Sequence, residues 1–267
     1  MITVASLVPY LGGALAVSGV AVAASRRREL LHRWFAWAIG VPLVTGAFWA
    51  GPAGAAAVAV VVGVVAAMEF GGLAGLRRPD RVVLAAGVTG VVLAAWLSPG
   101  QVPRVLAVSA LALAALPLLG GDADDGGRRL GAGLLGLAWL SVLAALVPLG
   151  ANGLALFVAV SVADIVAYFA GRSIGGPRLS TLSPAKRWSG TVAGAAAGLA
   201  VLAVLSVLTW PTAIAVAVGG PAGDLLESMV KRGAGAKDAG QWLPGSGGLL
   251  DRIDSLLLAL AVLLVLS

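Results

Sequence analysis

The 267 residues contain no cysteine, which excludes disulfides, thiolate metal sites and cysteine nucleophiles. Histidine occurs once, at His32 beside an arginine cluster. A lone histidine in that setting argues against a His-based metal site and against a Ser-His-Asp triad. Charge is scarce as well: 11% of the residues are charged, against about 25% in an ordinary soluble domain. With a mean hydropathy of +1.00, the chain has too little polar surface to coat a water-soluble globule, so the solvent for most of it must be lipid. A segment that crosses lipid has to satisfy its own backbone hydrogen bonds, which leaves helices or a closed barrel. The alternating ten-residue pattern of barrel strands is missing; the apolar runs are roughly 17–22 residues long, the length of spanning helices. The expected fold is therefore all-α, a polytopic bundle of about ten transmembrane helices.

Those runs fall at about 2–24, 34–50, 54–74, 82–97, 105–120, 130–150, 154–171, 191–210, 212–228 and 253–267. Leu, Ala, Val and Gly dominate them, and the 38 glycines suit close helix–helix contact. The first run has no basic segment before it and arginines after it, so it reads as a spanning helix rather than a cleaved signal peptide. The runs at 34–50 and 212–228 are expected to be short, tilted or broken, the latter at Gly219, Gly220 and Pro221. With the N-terminus outside and the helices alternating, the inward segments carry Arg26, Arg27, Arg28 and Arg33, then Arg77, Arg78 and Arg81, then Arg128 and Arg129. Arg172, Arg178, Lys186, Arg187, Lys231, Arg232, Lys237 and Arg252 complete the set: 17 of the 18 basic residues, with Arg104 alone outside. Such a Lys/Arg bias orients a membrane protein with that face in the cytoplasm, beside anionic headgroups.

The outward loops are too small to build a site. Two inward loops, about 172–190 and 229–252, are longer than a turn needs, which often signals function. The loop with Asp122, Asp124 and Asp125 reads as a solvated connection, and Glu69 as an interfacial residue pairing with an arginine. No short repeat and no separate soluble domain is discernible.

Carboxylates at lipid depth need a reason, since each costs roughly 2.5–3.5 kcal/mol on insertion scales. Asp164 lies inside "LFVAVSVADIVAYFAGR", Asp224 and Glu227 inside "AVGGPAGDLLESMVKR", and Asp251 and Asp254 open the last run. A buried ion pair is one reading of Asp164 and Asp224; ligation of a cation is the favoured one. Asp224, Glu227, Ser228 and Lys231 recur at i, i+3, i+4 and i+7 on one helix face, and Asp251 and Asp254 share another. Paired acids beside Lys231, Arg232, Lys237 and Arg252 are what a divalent-metal phosphate site requires, since Mg²⁺ takes one or two carboxylates plus phosphate oxygens and water. Between them "KDAGQWLPGSGGLLDRIDS" supplies a Gly/Pro loop, with Pro244, Gly245, Gly247 and Gly248, that leads into a helix N-terminus and lets backbone N–H groups approach a phosphate. It is not a P-loop, for the G-x-x-x-x-G-K-[ST] spacing is absent.

Residues 228–254, "SMVKRGAGAKDAGQWLPGSGGLLDRID", resemble the C-terminal signature of the phosphatidate cytidylyltransferases (CDP-diacylglycerol synthases). Ser228, Lys231, Arg232, Lys237, Asp238, Pro244, Gly245, Gly247, Gly248, Asp251, Arg252 and Asp254 match it in register. "GDLLES" before it, "ADIVAYFAGRSIGG" through Asp164, Ala167, Tyr168, Gly171 and Arg172, "SPAKRWSG", "MEF" and "RWFAWAIGVPL" are similar to further family segments, so the resemblance runs from about residue 30 to the end. Ser246 stands where the family usually has His, and Ala185, Arg187 and Ser189 replace its Lys, Thr and Glu, while Ser183, Pro184, Lys186, Trp188 and Gly190 remain.

The resemblance implies CTP + phosphatidate → CDP-diacylglycerol + pyrophosphate. In that reading Asp224 and Asp251 are the first metal ligands, with Asp164 or Asp254 as further ligands. Lys231, Arg232, Lys237 and Arg252 hold phosphates, and Asp238 is catalytic with them. Ser183, Lys186, Arg187 and Trp188 close over nucleotide or headgroup, joined by Ser228, Gly245, Ser246, Gly247 and Gly248. The cofactor is Mg²⁺, with a second cation as an option. The partners are CTP and bilayer phosphatidate, with no nucleic acid, and a homodimer is envisaged. The expected layout is an additional helix over 1–30, an N-terminal transmembrane region over 31–150 and a catalytic region over 151–267. The location is the inner (cytoplasmic) membrane, with the site facing the cytoplasm. The alternatives are a CTP-dependent polyprenol or lipid kinase, a catalytically altered paralogue, and a transporter. Against the transporter, no inverted repeat is found and the polar residues gather at one face rather than at midplane.

Overall fold

The computed structural model describes residues 2–25, 28–236, 239–240 and 247–267. Each of the ten apolar runs becomes a helical segment: α1 Val4–Ser25, α2 Arg28–Trp49, α3 Pro52–Leu73, α4 Arg78–Leu97, α5 Val102–Leu119, α6 Gly126–Leu149, α7 Ala151–Ile174, α8 Trp188–Val204, α9 Trp210–Gly233 and α10 Leu250–Leu266. No strand occurs among the described residues; an isolated antiparallel bridge joins Arg178 and Arg187. Seven of the helices (α1, α3–α7 and α9) are long and apolar enough to cross a membrane, and α8 and the Trp37–Trp49 part of α2 are shorter apolar helices. The chain is a polytopic helical membrane protein.

The prolines account for the irregular turns. Pro221 has no N–H for the carbonyl four residues back and its ring crowds that carbonyl; the preceding turn, Ala215–Gly219, widens to a π-helix, the form a single inserted residue takes inside an α-helix. The break expected near Gly219 is thus a bulge within a continuous α9. Pro148 acts in the same way on α6, where Val142–Ala145 tightens into a 3₁₀ turn just before it. By contrast α2 is not interrupted. It starts six residues before the apolar run and carries Pro42 within it, because the charged segment at its start extends the helix beyond the lipid-matched part.

Helices α3 to α6 pack on one another, as do α7 with α8 and α9 with α10. Phe70, Leu84, Leu140, Leu143, Leu156, Leu257 and Leu260 fill the interior between them. The first helix leans chiefly on α2, burying Leu7 but exposing most of its length.

One end of the bundle holds an ionic latch. Arg129 donates from Nε and Nη2 to both oxygens of Asp80, at 2.9 and 2.6 Å, and also pairs with Asp122. Both members of the first pair are almost fully buried, at 4% and 3% exposure. Arg77 reaches Asp122 at 2.8 Å, and Arg128 donates to the Ala74 carbonyl at 2.7 Å. Within the Asp122–Asp125 segment, expected to be a solvated connection, Ala123 and Asp124 are indeed exposed, but Asp122 is enclosed by arginines. Asp122 is held between two guanidiniums, and its hydrogen bond with Arg129 keeps its carboxyl below the usual carboxylate range. The latch ties the α3–α4 turn to the α5–α6 turn at the end where the candidate site lies.

Candidate functional site

Small residues bring α7 and α8 together. Gly190, Gly194 and Gly198 are spaced by four on α8 and face Ala159, Ala163, Ala167 and Gly171, spaced by four on α7. A Cβ at Gly194 would sit 2.5 Å from the Ala163 carbonyl oxygen, so only glycine permits this approach. Between the two helices, residues 175–187 fold back over the bundle end. Gly175 and Gly176 take the left-handed turn at φ 72° and 100°. Leu179 N–H donates to the Lys186 carbonyl at 2.9 Å, Trp188 N–H to Pro177 at 3.1 Å, and Arg187 Nη1 to Gly176 at 2.9 Å. Ser189 Oγ donates to the Gly175 carbonyl. This loop roofs a cleft of about 580 Å³ lined by Asp164, Tyr168 and Arg172 of α7, by Ser183, Lys186 and Arg187 of the loop, and by Asp224 of α9. The Lys186 ammonium donates to the Asp224 carboxylate across the cleft.

A second close approach positions α9 against α10. A Cβ at Gly219 would lie 2.8 Å from Ala259 Cα, and one at Gly223 would collide with the Asp254 carbonyl. Asp254 is consequently buried, at 6% exposure, within electrostatic reach of Asp164, Asp224 and Glu227. Lys231 bridges the two helices, donating to Glu227 one turn back and to Asp251 at 2.9 Å. Asp251 also accepts from the Ala239 N–H at 3.1 Å and the Gly248 N–H at 2.6 Å. The other Glu227 oxygen, Oε1, is buried without a hydrogen-bond partner among the described residues, as is Ser255 Oγ. Five carboxylates thus converge around two paired lysines, with no three of them gathered into one ion's shell among the described residues.

The sequence-derived residues divide as follows. Asp164, Ser183, Lys186, Arg187 and Asp224 share the cleft. Asp251, Asp254, Glu227 and Lys231 form the neighbouring cluster. Ser228 is half-buried on α9, Arg232 is exposed, and Trp188 is exposed and does not line the cleft. Gly248 directs its N–H to Asp251, while Gly247 turns the chain at φ 80°. Lys237, Asp238, Pro244, Gly245 and Ser246 lie outside the described residues. Arg252 is exposed on α10 and faces the other side of that helix, toward α2.

Glu69 is the residue whose role sequence reasoning misplaced. Instead of pairing with an arginine, its buried carboxylate accepts the Leu249 N–H at 3.0 Å and the Leu250 N–H at 2.7 Å. Those are the amides of the N-cap residue and the first residue of α10, which have no partner within the helix, and the helix dipole there also favours an anion. Gly240 and Gly248 close around the same carboxylate, and a Cβ at Gly248 would sit 2.8 Å from either oxygen. A carboxylate ending an apolar run was the available signal, but its partners lie some 180 residues away in the chain.

Parts of the chain are similar to known proteins. A phosphatidate cytidylyltransferase of Brucella abortus is 48% identical over 117 residues, covering 40% of this chain and 43% of that protein. One from Pseudomonas aeruginosa is 42% identical over 154 residues, covering 51% and 55%. Phosphatidate cytidylyltransferase 4, chloroplastic, of Arabidopsis thaliana is 41% identical over 108 residues, covering 37% and 28%. The chain thus spans about half the length or less of these curated relatives. The model of the cytidylyltransferase family matches residues 31–267, everything from the early part of α2 onward, and the chain belongs to that family.

Proposed function

We propose that the chain transfers the cytidylyl group of CTP to phosphatidate, forming CDP-diacylglycerol and pyrophosphate. The observation that carries this reading is the cleft in which Asp164, Asp224, Lys186 and Arg187 meet at the end of the bundle, inside the stretch matched by the cytidylyltransferase family. An oxygen of the lipid phosphate attacks the α-phosphorus of CTP in line. The bond from that phosphorus to the bridging oxygen breaks, and pyrophosphate leaves with the electron pair. The nucleophile is already an anion, so no side chain has to remove a proton from it. What the protein contributes is position and charge. Lys186, Arg187 and Arg172 line the cleft where triphosphate oxygens would lie. Lys231 keeps Asp251 and Glu227 oriented at the junction of α9 and α10.

Mg²⁺ fits this donor set. Among the described residues, hard carboxylate oxygens outnumber the cations that pair with them, and a buried Glu227 oxygen has no hydrogen-bond partner. Magnesium uses one or two carboxylates and completes its octahedron with phosphate oxygens and water, so no all-protein cage is needed. Asp224 with Asp164 would hold it, with Asp254 and Asp251 alongside. When bound, the ion supplies neutralisation of the charge that builds up on the phosphates. The site faces the cytoplasm, where CTP is made available, in the inner membrane. Purified protein incubated with CTP and phosphatidate tests the reading: a CDP-lipid forms with Mg²⁺ and stops forming when EDTA is added. Absence of any CDP-lipid with intact, folded protein would overturn it.

A further inference from the structure

Two carboxylates and three cations line the cleft: Asp164 and Asp224, with Arg172, Lys186 and Arg187. Both arginines have other partners. Arg187 donates from Nη1 to the Gly176 carbonyl at 2.9 Å, and Arg172 from Nη1 to the Tyr168 hydroxyl at 3.3 Å. Among the described residues, Lys186 is the cleft cation that pairs with an acid, donating to Asp224 Oδ2, and Asp164 lies within its electrostatic reach. The Lys186 backbone is pinned on both sides. Its N–H donates to the Ser183 carbonyl at 3.0 Å, and its carbonyl accepts from the Leu179 N–H at 2.9 Å. A flexible four-carbon stem with a point charge at its tip therefore hangs from a fixed strap. Lys186 and Asp224 are 28% and 27% exposed, so water reaches the pair and neither charge is left dry when they part. The carboxylate that takes this ammonium is also the one a divalent cation needs, and the two positive charges repel. Three cations against two carboxylates leave the lining one positive charge in excess. A cation arriving alone meets an Asp224 already neutralised. One arriving with a triphosphate brings anionic oxygens to which Lys186 can turn.

We propose that Lys186 is a tethered counterion, which keeps a divalent cation off Asp224 until a triphosphate draws the ammonium away. Cation and nucleotide then bind as a pair, and neither settles firmly in the cleft alone. The inference rests on the proposed reaction, and the two can fail separately. Binding of Mn²⁺, which takes the same hard oxygen ligands, is followed by paramagnetic resonance on the protein in detergent, without nucleotide. Lys186→Met removes the competing charge and tightens Mn²⁺ at least about fivefold, the low end of a coupling between sites. Lys186→Arg keeps that charge and stays within about twofold of the parent. Adding Asp224→Asn to Lys186→Met abolishes the gain. A CTP analogue with a methylene bridge between the α- and β-phosphorus, bound with Mg²⁺, moves the opposite way. Its affinity falls at least about fivefold in Lys186→Met, because the ammonium is lost as a phosphate partner. A side chain that merely supports the fold weakens both ligands, and one that only holds phosphate leaves Mn²⁺ unmoved. Either result overturns the proposal, as does a gain in Lys186→Arg equal to that in Lys186→Met. The expected pattern for both ligands, together with no CDP-lipid from the unmodified protein, sinks the proposed reaction and leaves the counterion role standing.

Discussion

Asp224 and Asp251 both belong to the carboxylate cluster, but their surroundings differ. Asp224 stands in the open cleft with Lys186 as its hydrogen-bond partner. Asp251 is fixed by Lys231 and by the amides of Ala239 and Gly248. Asp224→Asn is expected to lower turnover by at least about a hundredfold, the scale of losing one strong electrostatic contact in a transition state, with little change in unfolding temperature in detergent. Asp251→Asn is expected to lower both, since it also unties Lys231 and the loop before α10. Equal and near-normal turnover in both variants would show the site to be misplaced. The carboxylates were legible in the sequence because ionised groups in apolar runs are costly and conspicuous. Their partners were not: nothing near Lys186 in the chain points to Asp224, 38 residues away. The expected ligand set of Asp164, Asp224, Asp251 and Asp254 becomes two adjoining groups once the helices are packed.

At the level of elements, the ten helices follow from the lengths of the apolar runs, because lipid thickness fixes how long such a run must be. Irregular turns within them were less legible. Pro221 was a visible breaker, yet whether it ends a helix or widens one turn depends on the helices packed around it, here α10 against Gly219 and Gly223. The latch was hidden for a related reason: Asp122 looks solvated until Arg129 and Arg77 close on it. Glu69 couples α3 to the start of α10 and so fixes the turn that presents Asp251. Glu69→Ala should cost about 0.5–2 kcal/mol, the range for losing a helix N-cap, and should lower turnover although Glu69 lines none of the cleft. Thermal unfolding in detergent together with the rate checks this. Glu69→Gln keeps one carbonyl acceptor and should restore part of both. An alanine variant with parent-like melting and parent-like rate would remove Glu69 from the account.

For the whole molecule, the prediction is that all ten helices cross the membrane in alternation, which would put both termini on one side, and the 17-to-1 division of basic residues predicts that side to be outside. A reporter fused after Ser267 should therefore be active outside the cytoplasm; a cytoplasmic signal would mean that the helix count or the orientation is wrong. The contacts agree with one shared end: Arg128 reaches the α3–α4 turn, Glu69 reaches α10, and Lys186 reaches Asp224. The chemistry assigned to that end was legible chiefly through the spaced residues of 228–254. Residue patterns alone left cation ligation and a structural ion pair both open, and the loop holding Lys237, Asp238, Gly245 and Ser246 lies outside the described residues. Cytidylyl transfer and lipid phosphorylation draw on the same nucleotide but leave different atoms on the lipid. Parallel reactions of the purified protein with α-labelled and γ-labelled CTP, phosphatidate and Mg²⁺ separate them most directly. Cytidylyl transfer predicts label on the lipid from the α position alone, with the γ label released in pyrophosphate; lipid labelled from the γ position alone would contradict it.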